Sequence, residues 1–197
     1  MTAASPPQER ILRAAARLFV EHGYPAVTMR AVAGELGMTA AGLYAHYPSK
    51  AALLSDFVES ELKRFALAVE ERVERESGPV DRLRVFAEGH VLSALAEAEL
   101  GPYNIQFALK QLAPYLTAAG QADLVAFQRR HLRLLTGILE DGLRAGLFEV
   151  CEPTVTAFAV LTMCDFVTNW YRPDGRLDAE AVARHHGELA LRMAGAR

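Results

Sequence analysis

The chain has 197 residues, 51% hydrophobic and 23% charged, with a formal net charge of −3. That length suits one or two small domains with a substantial core, and the composition is that of an ordinary globular protein. It argues against a membrane-spanning chain, because no apolar run reaches about 18 residues, and against a disulfide framework, because Cys151 and Cys164 are the only cysteines.

The opening MTAASPPQER lacks the basic start and apolar stretch of a secretory signal, so it reads as a short disordered arm on a cytoplasmic protein. A first helix follows, with Ile11, Leu12, Ala15, Leu18 and Phe19 on one stripe and Gly23 as its stop. Thr28 is the expected N-cap of a second helix carrying Val32, Ala33 and Leu36 at helical spacing, closed by Gly37. Thr39 caps a third, whose Leu43 and Tyr47 sit four residues apart on one side. Two short helices joined by a Gly-containing turn make a helix-turn-helix, in which the second helix enters the DNA major groove.

Pro48 breaks the chain, Ser49 caps, and a long helix runs from 49 to about 76 with Leu53, Leu54, Phe57 and Val58 on its apolar side. Further helices are expected at 79–99, as shorter pieces in 102–119 interrupted by Pro114, and at 121–145, 153–171 and 178–194. No strand alternation, internal repeat or low-complexity tract is present. The expected class is all-α: three N-terminal helices over 1–48, then a larger helical region over 49–197.

Charge is unevenly spread. Residues 1–50 hold five basic and three acidic side chains, whereas the remainder holds 16 basic and 21 acidic ones. Positive charge near the motif suits a chain of which only one end meets phosphate. On the motif, Thr28 and Thr39 stand at helix starts where hydroxyls and N–H groups meet phosphates. Thr39, Ala40, Ala41 and Tyr44 occupy the exposed side of the second helix of the pair. Arg30 can grip a guanine bidentately, and alanines can touch thymine methyls. Tyr44, His46 and Lys50 are the expected phosphate donors.

The stretch resembles the DNA-binding domain of the TetR family of bacterial regulators. The resemblance rests on Phe19, Gly23, Tyr24, Thr28, Val32, Ala33, Gly37, Met38, Thr39, Leu43, Tyr44, His46, Tyr47, Ser49, Lys50 and Leu53, and covers about residues 9–57. The chain departs from the family's commoner pattern at Ala40, where Lys, Arg or Gln is frequent, and at Ala45, where a large polar or aromatic residue is frequent. Gly42 in mid-helix costs about 1 kcal/mol relative to alanine.

The resemblance implies double-stranded operator DNA as a partner, a C-terminal region that binds a small molecule, and a homodimer that pairs two half-sites. The last two helices, about 153–171 and 178–194, are the expected two-fold contact, because 153–171 is apolar around most of its circumference. Phe86, His90, Tyr103, Phe107, Phe127, Met163, Phe166 and Trp170, with Phe65, are candidates to line an effector pocket, each also a plausible core residue. His90, Asn104, Gln106 and Asn169 are candidate orienting groups. The C-terminal segments resemble members that sense acyl-coenzyme A thioesters, with Arg129, Arg130, Arg133 and Arg172 available for phosphates.

No Gly-x-Ser-x-Gly elbow, phosphate loop or dinucleotide fingerprint occurs, so neither an enzyme nor a cofactor is expected. Adjacent His185 and His186 point to different helix faces and make a poor metal site, and Cys164 reads as core. The functional expectation is a ligand-responsive DNA-binding regulator, most simply a repressor released by a small apolar or acyl-CoA-type effector. The alternative is a helical small-molecule-binding or interaction protein with a vestigial helix-turn-helix, a reading suggested by Ala40, Ala41 and Ala45.

Overall fold

The computed structural model describes residues 7–96 and 112–196, and among them no strand occurs. Helix α1 (Pro7–His22) buries Ile11, Leu12, Ala15 and Phe19 and stops at Gly23, whose φ of 76° favours glycine. A 3-10 turn at Tyr24–Ala26 leads to α2 (Met29–Glu35) and α3 (Ala40–His46). Then come α4 (Lys50–Glu74), α5 (Pro79–Ala96), a 3-10 turn at Ala113–Tyr115 and α6 (Ala118–Arg144). The chain closes with α7 (Pro153–Asp165), α8 (Val167–Trp170) and α9 (Ala179–Met193).

Two expectations about elements are corrected. Helix α6 starts at Ala118 rather than 121, because the Thr117 hydroxyl accepts from Gly120 N–H at 3.1 Å and caps a turn that its Ala-Ala-Gly sequence hides. The helix expected over 153–171 is divided at Phe166, where Asn169 N–H bonds the Phe166 carbonyl three residues back. One turn earlier Thr162 donates to the Phe158 carbonyl at 2.8 Å, a back-bond that bends helices.

Packing gathers the described residues into two compact units, 7–61 with 112–124 and 62–96 with 125–196. The 48/49 boundary marks the end of the motif in sequence, while the packing of the first unit continues through Leu53, Leu54 and Val58 of α4. In this unit Ser55 is buried and its hydroxyl accepts from Thr117 N–H at 2.9 Å. A Cβ at Gly120 would lie 2.6 Å from that same oxygen, so only glycine admits the contact.

The second unit is held by apolar packing. Phe86, Leu83, Leu135, Ile138 and Leu139 are fully buried, each worth about 1.5–3 kcal/mol of transfer from water. Helix α9 lies along α5, with Gly187 against the stems of Arg84 and Glu88. The ring of Phe148 fills the place where a Cβ on Gly142 would stand 2.0 Å away. Among the described residues no helix is long and apolar enough to cross a membrane.

Candidate functional site

The helix pair is built from its own caps. The Thr28 hydroxyl accepts from Ala31 N–H and the Thr39 hydroxyl from Gly42 N–H, both at 3.1 Å. Gly37 adopts φ 65° while Met38 N–H reaches the Ala33 carbonyl and Gly37 N–H the Gly34 carbonyl, the paired closure of a left-handed C-terminus. A Cβ at Gly42 would lie 3.3 Å from the Thr39 hydroxyl, so glycine relieves crowding at the cap itself.

Burial sorts the motif into two sides. Val32, Ala33, Leu43 and Tyr47 are buried, whereas Thr28, Arg30, Thr39, Ala41, Tyr44 and His46 are exposed and Ala40 is half-buried. At about 100° per residue, Ala41 and Ala45 fall opposite Leu43, with Tyr44 on the flank beside them. Tyr44 is 51% exposed. The exposed arc of α3 thus offers one phenol and a run of methyls. Tyr47 serves the interior instead: its hydroxyl donates to Asp56 at 2.5 Å, and burial with that bond raises its pKa.

Lys50 is placed differently from the phosphate donor expected of it. Its Nζ donates to the carbonyls of Tyr24 and Val27 at 2.7 Å and to Pro25 at 3.4 Å, and sits 4.2 Å from the Tyr24 ring centroid. An ammonium has three donors, and here all three are taken. Burial lowers its pKa. The geometry makes Lys50 a clamp on the connection between α1 and α2. The sequence signal was the ordinary look of a lysine at a helix start, where a phosphate contact and an internal latch are indistinguishable.

The effector candidates among the described residues fall in two groups. Tyr103 and Phe107, with Asn104 and Gln106, lie outside the described residues. Phe86, His90 and Phe127 meet inside the second unit, together with Phe65 and a residue the sequence did not single out, His131. Met163, Phe166 and Trp170 instead line an open groove of about 360 Å³ with Leu177, Val182, His185, His186 and Leu189. Phe166 is 60% exposed.

His90 is not a free orienting group. Its Nε2 is 2.8 Å from Asp165 Oδ1 and its Nδ1 is 3.0 Å from His131 Nε2, so both ring nitrogens are engaged. His131 is also buried, and desolvation first, then the neighbouring His90, holds its pKa well below 6.5. The signal available in sequence was its register: Leu124, Phe127, His131, Leu135 and Ile138 follow one helical stripe.

Of the basic residues, Arg129, Arg133 and Arg172 are exposed, while Arg130 pairs with Glu70. Burial pushes the Cys164 thiol up, as suits an inert core residue. Among the described residues no cluster of three or more His, Cys, Asp or Glu side chains could hold a metal ion.

Two family profiles match the chain: "Bacterial regulatory proteins, tetR family" over residues 11–57, and "Tetracyclin repressor-like, C-terminal domain" over residues 76–194. The TetR-family regulator PfmR of Thermus thermophilus is 34% identical, with a TM-score of 0.79 over 93% of this chain and 97% of that one. The structure of AibR in complex with isovaleryl coenzyme A and operator DNA is 27% identical, with a TM-score of 0.79 over 96% and 99%. The HTH-type transcriptional repressor KstR2 of Rhodococcus jostii is 26% identical over 92% of this chain and 87% of its own length.

Proposed function

The chain belongs to the tetR family of bacterial regulatory proteins, and on that premise we propose that it is a homodimeric, ligand-responsive repressor acting in the cytoplasm. The observation that carries the reading is the sorting of the motif: its apolar residues close the first unit, and Arg30, Tyr44 and His46 remain exposed on the helix pair. Residues 1–48 are the DNA-binding part and 49–197 the effector-binding and dimerising part.

In this reading Tyr44, His46 and the backbone at Thr28 and Thr39 hold phosphates, and Arg30 reads a guanine edge. Ala40 and Ala41 offer methyl contacts, so readout leans on few base contacts and on DNA shape. Lys50 acts indirectly, by fixing the loop that carries α2. The dimer forms on the exposed apolar side chains Val155, Phe158, Phe166, Trp170, Leu189 and Met193, since a patch of this kind on the last helices suits an isologous contact. A small apolar or acyl-CoA-type effector binds in the second unit. It releases DNA only to the extent that it favours the non-binding state. The AibR complex supports an acyl-thioester class by similarity.

Fluorescence anisotropy with duplexes from the protein's own promoter region tests the assignment. Salt-sensitive, sequence-specific binding is expected, and Tyr44→Ala is expected to weaken it roughly tenfold or more while sedimentation shows an unchanged dimer. Sequence-indifferent binding at low salt would leave the helix-turn-helix vestigial.

A further inference from the structure

The interior of the second unit contains an ordered chain of three polar side chains. Asp165, as a carboxylate, accepts from His90 Nε2–H at 2.8 Å. With the His90 proton on Nε2 alone, its Nδ1 presents a lone pair, and the 3.0 Å contact is then a bond donated by His131 Nε2–H. In that arrangement the His131 Nδ1 carries a lone pair and no proton. This Nδ1 is buried and, among the described residues, has no hydrogen-bond partner.

Three aromatic rings surround the imidazole. Phe127 stacks on the His131 ring at 5.6 Å and 14°, Phe86 lies tilted at 4.8 Å, and Phe65 meets it edgewise at 5.5 Å. The ring sits among aromatic side chains, and its Nδ1 lone pair is the polar feature it leaves unmatched. Burial lowers the pKa of His131, so the ring stays neutral rather than taking up a proton to satisfy itself. An unmet buried acceptor is costly, and a ligand that supplies the missing donor recovers that cost on binding.

We propose that His131 Nδ1, oriented by Asp165 through His90, is the polar anchor of the effector site and selects an apolar ligand bearing an O–H or N–H donor. This rests on the reading of the second unit as effector-binding. It adds a polarity to that reading: an alcohol, phenol or protonated acid is favoured, and an ether, ester or ketone oxygen at the same point is rejected, because two acceptors would face each other.

The test uses the full-length protein and matched alcohol and methyl ether probes: 2-naphthol against 2-methoxynaphthalene, and 1-octanol against heptyl methyl ether. Nitrogen-15 NMR of the imidazoles is expected to show His90 and His131 both protonated at Nε2. The His131 Nδ1 signal should move when an alcohol is added. At least one alcohol should bind roughly tenfold or more tightly than its ether, and His131→Phe, which keeps the ring stack, should abolish that preference. A His131 protonated at Nδ1, or no preference within either pair (including no binding of any probe), overturns the proposal and leaves a buried water as the partner of Nδ1. Should the variant fail to fold, the wild-type tautomer and the wild-type preference still decide. Operator binding by the same wild-type sample separates this outcome from failure of the regulator assignment.

Discussion

The helix pair of the first unit and the interior of the second place their polar bonds at very different sequence distances. In the first, the side-chain bonds that shape the helix pair run over three residues, from Thr28 to Ala31 and from Thr39 to Gly42. In the second, the bonds that organise the interior join residues 41 and 75 positions apart, His90 to His131 and His90 to Asp165. Local bonds form as the backbone turns and constrain a surface; distant ones exist only once the core has closed around them. A DNA-reading face can therefore be specified by short motifs, whereas a ligand-reading interior is specified by the whole fold.

If the second unit depends on closure of one core, Phe86→Ala should be the most damaging change. It removes a fully buried ring that touches both histidines and is expected to cost about 3–5 kcal/mol. Denaturant unfolding measures this, and a loss below about 1 kcal/mol would break the contrast.

Lys50→Met probes a long-range polar latch within the first unit. Losing bonds to the Tyr24 and Val27 carbonyls should cost about 1.5–3 kcal/mol. Operator affinity should fall through a loosened α1–α2 connection. Hydrogen exchange at residues 24–28 is the check: unchanged protection with lost affinity would restore Lys50 as a phosphate contact.

Acid should act on the second unit. The folded pKa of His131 lies below the ordinary 6.5, so the unfolded chain takes up its proton first as pH falls. Stability contributed by neutral His131 is complete above that value and declines below it, by at most about 1.4 kcal/mol per pH unit for one proton. Thermal melts between about pH 7.5 and 5 should show a decline that His131→Phe removes. The smallest effect is Thr39→Ala, about 1 kcal/mol from the lost cap. It should lower operator affinity more than overall stability, and equal losses would mean the cap serves packing alone.

Legibility in the sequence follows the same division. Gly23, Gly37, Thr28 and Thr39 announced their turns and caps because each acts within one helical turn of itself. The long helices were readable from periodicity, with errors where a hydroxyl decided locally: Thr117 extended α6, and the back-bonded Thr162 preceded the division at Phe166. The internal bonds of Lys50 were not legible, because its partners lie 23 to 26 residues away. His90 stands out in the sequence as a polar residue on an apolar helix, but nothing in its neighbourhood shows that His131 and Asp165 occupy both of its nitrogens. Phe166 and Trp170 share the hydrophobicity of the interior aromatics, and hydrophobicity alone does not distinguish an enclosed wall from an open groove.

The latch at Lys50 also bears on how the protein can be handled. The chain has three lysines, at positions 50, 63 and 110, among 21 basic residues. With its amine enclosed by three carbonyls and a tyrosine ring, the one at position 50 is shielded from acylating reagents while the fold persists. Acylating reagents applied to the native protein should therefore leave position 50 unmodified, and labelling there becomes a chemical report that the connection between α1 and α2 has opened.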